Sequence, residues 1–215
     1  MCHQKPNGSS APCHAYVLAT RLLQDKSYTL SGSFQRHNDP EGDRFGYFGG
    51  TLATAETIPT RLILRRRILQ PPLATSPPWP DAKTKPSLAQ LSVHPADIIV
   101  IFELSSPGVS GHPSTAHGGV LASCFDETMH KAVAAHLIDT QQVGKPYTAQ
   151  LDIRYRQPVQ VPGLLIIRAK VVARIGRKFW LRAVASQQLD HGEETLTTDA
   201  IALFLEAGDS TSCSL

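Results

Sequence analysis

Residues 116–137 read Ala-His117-Gly118-Gly119-Val-Leu-Ala-Ser-Cys-Phe-Asp126-Glu127-Thr-Met-His-Lys-Ala-Val-Ala-Ala-His-Leu137, the longest stretch of the chain with helical spacing. Paired glycines open it. Ala122, Met129, Val133 and Leu137 recur at steps that put them on one helical stripe. Position 126 lies on the same stripe and holds a carboxylate. Glu127 instead shares a face with Ser123, His130 and Lys131, where a Glu127–Lys131 pair suits a solvated surface. An acid among apolar neighbours costs free energy unless it is paired or used, so Asp126 is the candidate functional carboxylate.

The neighbours of this helix read as strands. Upstream, Asp97 to Leu104 is an apolar run that predicts a buried strand, and a loop with Gly108, Gly111 and Pro113 leads on to the helix. Downstream come four period-2 runs. Tyr147, Ala149, Leu151, Ile153 and Tyr155 form one apolar face, opposite Gln150, Asp152, Arg154 and Arg156. Pro158 and Pro162-Gly163 then break the chain before Leu165, Ile167, Ala169, Val171 and Ala173. Gly176-Arg177 predicts a tight turn into Phe179, Leu181, Ala183 and Ala185. Asp190-His191-Gly192 predicts a hairpin into Leu196, Thr198, Ala200, Ala202 and Phe204. Strand, long helix and antiparallel meander make an α+β plan, with one face of the sheet against the helix.

That domain is expected over residues 88–207, with a tail at 208–215. Residues 1–87 read as an extension. Residues 1–42 are rich in turn formers around one short apolar piece, Tyr16 to Leu23, and are expected to be largely mobile and dispensable for chemistry. Residues 43–70, with Phe45, Tyr47, Phe48, Leu62, Ile63 and Leu64, read as an appendage, partly helical. Six prolines in 71–86 mark a linker.

Composition excludes several classes. At 215 residues the chain can bury a sizeable core, and its net charge of +3 is too mild to argue for a nucleic-acid partner. The Arg65-Arg66-Arg67 run has no aromatic interleaving and reads as a solvated loop or helix end. Cys2, Cys13, Cys124 and Cys213 show neither CxxC nor regular spacing, which points to a reducing compartment. Cys2-His3 and Cys13-His14 fit no standard zinc spacing, so no metal is expected. No apolar run reaches membrane-spanning length. The reading is a soluble cytoplasmic protein, with mitochondrial or peroxisomal placement left open by an acid-free start and a loosely peroxisome-like Cys213-Ser-Leu end.

His117-Gly118-Gly119, six residues and then Asp126, followed by Thr148-Ala-Gln-Leu-Asp-Ile-Arg-Tyr155-Arg-Gln-Pro158, resembles the hot dog-fold acyl-CoA thioesterases. The likeness is to the branch with phenylacetate-pathway and eukaryotic thioesterase-superfamily members. Gly176-Arg177-Lys178 and the closing Ala-Leu-Phe204 are similar too, so the likeness covers roughly residues 90–206. It implies an antiparallel sheet wrapped around a central long helix, and a homodimer or dimer of dimers with sites at the interface. The substrate would be an acyl-CoA or acyl-carrier thioester, with no cofactor. The family's aspartate would be Asp126, its motif glycine Gly118 and its strand Ser or Thr would be Thr148. Relatives often carry Asn six residues before the motif histidine, where this chain has Gly111 followed by His112.

Thioester hydrolysis needs a stabilised oxyanion and an activated water or carboxylate nucleophile. A helix N-terminus offers free N–H groups and a partial positive charge, and glycine allows close approach. Gly118 and Gly119 suit that role, which adds to their part in a tight turn into the helix. His117 reads as a loop-fixing residue ahead of a catalytic base. Cys124 reads as a small buried residue ahead of a nucleophile. Strand parity sets Thr148 on the polar face with Gln150, so only the resemblance brings it to the site, through a local bend or an interface position. His112, Arg177 and Lys178 are candidates for substrate contact, and Arg154, Arg156 and Arg174 could also meet CoA phosphates. Two alternatives stand beside hydrolysis. One is dehydration or product release on carrier-bound acyl groups; the other is acyl binding without catalysis.

Overall fold

The computed structural model describes residues 13–35, 46–77, 93–141, 144–188 and 194–207. The Asp190–Gly192 turn, the Cys213 tail, Cys2-His3 and the linker beyond Pro77 lie outside the described residues, as do the side chains of Cys13 and His14.

In chain order the elements are α1 (Cys13–Gln24), β1 (Tyr28–Gln35), a π-helical turn (Tyr47–Thr51), β2 (Thr60–Arg66) and β3 (Ile98–Leu104). A small hairpin of β4 (Ser110–His112) and β5 (Thr115–Ala116) leads into α2 (Gly118–Asp139). The meander follows as β6 (Lys145–Tyr155), β7 (Gly163–Ile175), β8 (Lys178–Gln188) and β9 (Glu194–Ala207). Seven strands form one antiparallel sheet in the order β1-β2-β3-β7-β8-β9-β6, and α2 packs along one face of it. This is the hot dog arrangement.

The apolar alternation of the meander decides what α2 buries. Phe125, Met129 and Val133 of the helix are fully buried, with Phe102, Leu165, Ile167, Phe179, Leu181 and Phe204 of the sheet in the same cluster. Two anchors hold the last turns of α2. His136 Nε2 lies 3.0 Å from Asp97 Oδ2, which also accepts the Val171 N–H at 2.8 Å, and Arg65 pairs with Asp139. The Arg65–Arg67 run is therefore a strand end, with the Arg67 side chain donating to the Lys26 carbonyl.

β3 reads as an apolar run because both its faces are covered, and the start of β7, Leu164 to Ile167, is covered on both faces too. Ile98, Val100 and Phe102 point to α2, while Ile99 and Ile101, with Leu164 and Ile166 of β7, belong to a second core on the outer face. Ala19, Leu18 and Leu22 of α1, Tyr28 of β1, and Leu62 and Leu64 of β2 complete that core. The Tyr28 hydroxyl donates to the Ala96 carbonyl at 3.0 Å.

The expected division at residue 88 thus falls between neighbouring strands of one sheet, because β2 pairs with β3 residue by residue. Residues 13–35 form a helix and an edge strand. Removing residues 1–42 should lower the unfolding free energy by several kcal/mol, since each large apolar side chain returned to water costs about 1.5–3 kcal/mol. Thermal unfolding of the shortened chain checks this; an unchanged Tm would leave the second core without a role in stability.

Candidate active site

α2 begins where β5 ends, and its first turn is held from three sides. His117 is the N-cap, with φ −68° and ψ 133°, and its Nδ1 accepts the Gly119 N–H at 3.0 Å. The His117 carbonyl accepts the N–H groups of both Val120 and Leu121, and its own N–H donates to the Val109 carbonyl. A Cβ on Gly119 would sit 3.0 Å from His117 Nδ1, so glycine is needed there for the cap to close. A Cβ on Gly111 would lie 3.0 Å from the His117 Cα, so the residue in the place of the relatives' Asn packs directly against the cap. His117 is therefore a fixing residue for the loop. Gly119, expected to meet substrate, has its N–H committed to that cap.

Gly118 supplies the first N–H of the helix, a group with no acceptor inside the helix. Its carbonyl accepts the Tyr155 hydroxyl at 2.8 Å, and the Tyr155 ring covers its Cα side.

Asp126 stands at the border between the buried stripe and the open face of α2. Met129 and Val133 are fully buried, whereas Asp126, like Ser123 and His130, is only partly covered. Its Oδ1 accepts the Thr148 hydroxyl at 2.6 Å. Simple alternation places Thr148 on the wrong face for this, and a β-bulge resolves the conflict. The register jumps between Thr148 and Gln150, so Ala149 is an extra residue and the parity of β6 reverses across it. Thr148 pairs with Phe204, Leu151 with Ala202 and Ile153 with Ala200, all toward α2. Tyr147, assigned to the apolar face by its spacing, lies across from Leu205 and is 58% exposed.

Glu127 is not the solvated acid its face suggests. It pairs at 2.8 Å with Arg61 of β2, which is buried, and at 3.3 Å with Lys131. The Arg61 guanidinium also lies 5.4 Å from the Phe48 ring centroid. Glu127→Ala should therefore destabilise the fold by roughly 1.5–3 kcal/mol, the worth of one hydrogen bond to a charged group, because it removes the carboxylate that lies 2.8 Å from a buried guanidinium. Chemical denaturation measures this, and a loss under about 0.5 kcal/mol, as at an ordinary surface site, would refute it.

Residues 114–182 match the sequence profile of the Thioesterase superfamily. That stretch carries the helix start, Asp126 and strands β6 to β8 up to Arg182. Acyl-coenzyme A thioesterase THEM4 of Xenopus laevis is 33% identical over 109 residues, 51% of this chain and 45% of that protein. The Mus musculus protein of the same name is 29% identical over 98 residues, 46% of this chain and 38% of that one. The matched region thus spans less than half the length of these two relatives. Among solved structures, a Bacillus halodurans protein with CoA is 22% identical at a TM-score of 0.43, covering 51% of this chain and 66% of that one. Thioesterase superfamily member 2 of Mus musculus is 14% identical at a TM-score of 0.42, covering 52% and 74%.

The matched stretch contains Gly118, Asp126, Thr148 and Tyr155, while the other candidates are scattered. His112 is exposed on the hairpin beside His117. Gly176, with φ +54°, makes the expected turn, and Arg177 and Lys178 are exposed beside it. Within one chain they lie at the far end of the sheet from Gly118: Lys178 pairs with Leu205, whereas Tyr155 pairs with Thr198. Arg156 pairs with Asp199, and Arg174 pairs with Glu206 and lies 4.6 Å from the Phe179 ring centroid. Cys124 is fully buried, and desolvation pushes its thiol up, the setting of a small core residue. Among the described residues no group of three metal-ligating side chains occurs, and no helix is long and apolar enough to cross a membrane.

Two residues near the site carry no clear signal in sequence. Arg61 reads as one more charge of a basic strand, and Tyr155 as an apolar position of β6. His130, one turn beyond Asp126, is pushed below the usual histidine range, mainly by burial, with Glu127 opposing that shift. Its Nδ1 is buried with no partner among the described residues.

Proposed function

We propose that this chain hydrolyses acyl-CoA thioesters at sites shared between two copies of itself. The observation that carries the reading is the Thr148–Asp126 hydrogen bond at 2.6 Å. It holds one oxygen of a carboxylate at the open border of α2 and leaves the other to accept a proton. Asp126 then deprotonates a water, whose oxygen attacks the thioester carbonyl. The oxyanion is met by the Gly118 N–H at the positive end of α2. Collapse of the intermediate expels the CoA thiolate, which takes the proton back, leaving a carboxylic acid and a thiol.

Two features support a shared site. Gly118 and Asp126 are eight residues apart on one helix, about 12 Å along its axis, too far for one carbonyl to meet both. β6 pairs with β9 on one edge, and no strand of the described residues pairs with the other. A second copy of β6 across that edge would close the sheet and bring its own Asp126 near this chain's Gly118.

The test is thiol release from a panel of acyl-CoAs. Hydrolysis of at least one member supports the reading. Loss of water from a hydroxyacyl thioester without thiol release would move it to dehydration, and saturable binding without turnover would make the protein an acyl-binding one.

A further inference from the structure

We infer that Tyr155 is a positioning residue for the oxyanion donor: its hydroxyl bond to the Gly118 carbonyl fixes the first peptides of α2, and so the direction in which the Gly118 N–H points. The inference rests on the thioester-hydrolase reading and extends it to a residue outside the His-Gly-Gly and aspartate positions.

The argument is an accounting of polar groups. Ahead of α2, two peptide units carry the groups that a substrate oxygen could meet. In the second, between Gly118 and Gly119, both ends are held: the carbonyl by the Tyr155 hydroxyl at 2.8 Å and the N–H by His117 Nδ1 at 3.0 Å. In the first, between His117 and Gly118, the carbonyl accepts two helical N–H groups. The Gly118 N–H is what remains. Two successive glycines are the least constrained backbone available, so the hold must come from outside the pair. Of the holds on the second unit, the one that reaches its carbonyl from outside α2 comes from Tyr155.

Tyr155 is suited to this in other ways. Its Cζ and hydroxyl lie 3.4 Å from where a Gly118 Cβ would be, so the ring also limits how far the glycine can swing. It sits at the end of β6, the strand that also carries Thr148. One strand therefore fixes both the carboxylate and the helix start. Burial raises the phenol above its usual range, which keeps the hydroxyl a donor through neutral and mildly alkaline pH. The side chain is 52% exposed, so the hydroxyl is not what keeps a core residue satisfied.

The experiment compares wild type with Tyr155→Phe, which keeps the ring and removes the O–H. Turnover of the best acyl-CoA in the panel should fall roughly three- to ten-fold in kcat, the factor expected for one neutral hydrogen bond, with KM nearly unchanged. Amide hydrogen exchange on the substrate-free proteins is the second readout. Exchange at Gly119, whose N–H is held by His117 Nδ1, should accelerate several-fold, while the rest of α2 and β6 stays as in wild type. Unchanged exchange at Gly119 would overturn the inference, as would acceleration spread over the whole of β6 and α2, the mark of a merely structural tyrosine. An unaltered kcat beside locally faster exchange would overturn it too. A wild-type protein inactive on every acyl-CoA would remove the hydrolase reading alone, and exchange would still judge the contact.

Discussion

Asp126→Asn should lower kcat by two orders of magnitude or more while leaving fold and assembly intact. The substitution keeps the size of the side chain and an oxygen able to accept the Thr148 hydroxyl, so the local hydrogen bond survives. What it removes is the capacity to take a proton, and a positioned general base is worth roughly 10²–10⁴ in rate. KM should move little, because the lost interaction belongs to the transition state. Steady-state kinetics on protein with an unchanged Tm decides the matter, and a kcat near wild type would end the assignment. Glu127 cannot serve as the control, since its carboxylate holds buried Arg61. Asp152 can: it is exposed on the same strand as Thr148, paired with Ile201 on the face away from α2, and Asp152→Asn should be silent.

How far these features could be read beforehand depends on how local their causes are. The helix over residues 118–139 and the four strands after it are written in spacings of three to four and of two, and each segment carries its own signal. The same holds for His117 as a cap, whose partner is two residues away. Thr148 shows the limit. A single bulged residue, Ala149, reverses the face of everything on one side of it, and nothing in a period-2 pattern marks where the extra residue lies. Family likeness supplied the residue where alternation pointed away from it.

The N-terminal third shows a different limit. Tyr-Thr-Leu-Ser-Gly-Ser-Phe-Gln, residues 28–35, is a poor strand by composition and becomes one because β2 offers an edge to pair with. β2 in turn is identified less by its own residues than by β3 beside it. Glu127 was misread for the same reason: the i,i+4 partner Lys131 is visible on the helix, whereas Arg61 comes from 66 positions away. Non-local pairs decide which charges are solvated, and no local pattern contains them. The continuous apolar run of β3 did hold a clue, since a strand apolar on both faces requires a second layer, and α1 with β1 and β2 provides it.

Mixing two inactive proteins, Asp126→Ala and Gly118→Val, should restore activity to about a quarter of wild type. The valine removes close approach to the helix start, and its bulk presses on the Tyr155 ring, which already lies 3.4 Å from the Cβ position. The alanine removes the base. Each homodimer then has two damaged sites, one lacking its carboxylate and the other its open donor. In a mixed dimer one site joins Asp126 from the valine chain to Gly118 from the alanine chain and is intact, while the other carries both lesions. Random reassortment makes about half the dimers mixed, each with one good site of two, hence roughly a quarter. Both variants must first be shown to dimerise, and exchange of subunits must be followed separately, for instance with distinguishable tags. If exchange proceeds and no activity returns, the carboxylate and the donor act within one chain. The roughly 12 Å between them along α2 would then have to be closed by a movement of the helix start, and Tyr155, which ties Gly118 to β6, would be the contact that has to break.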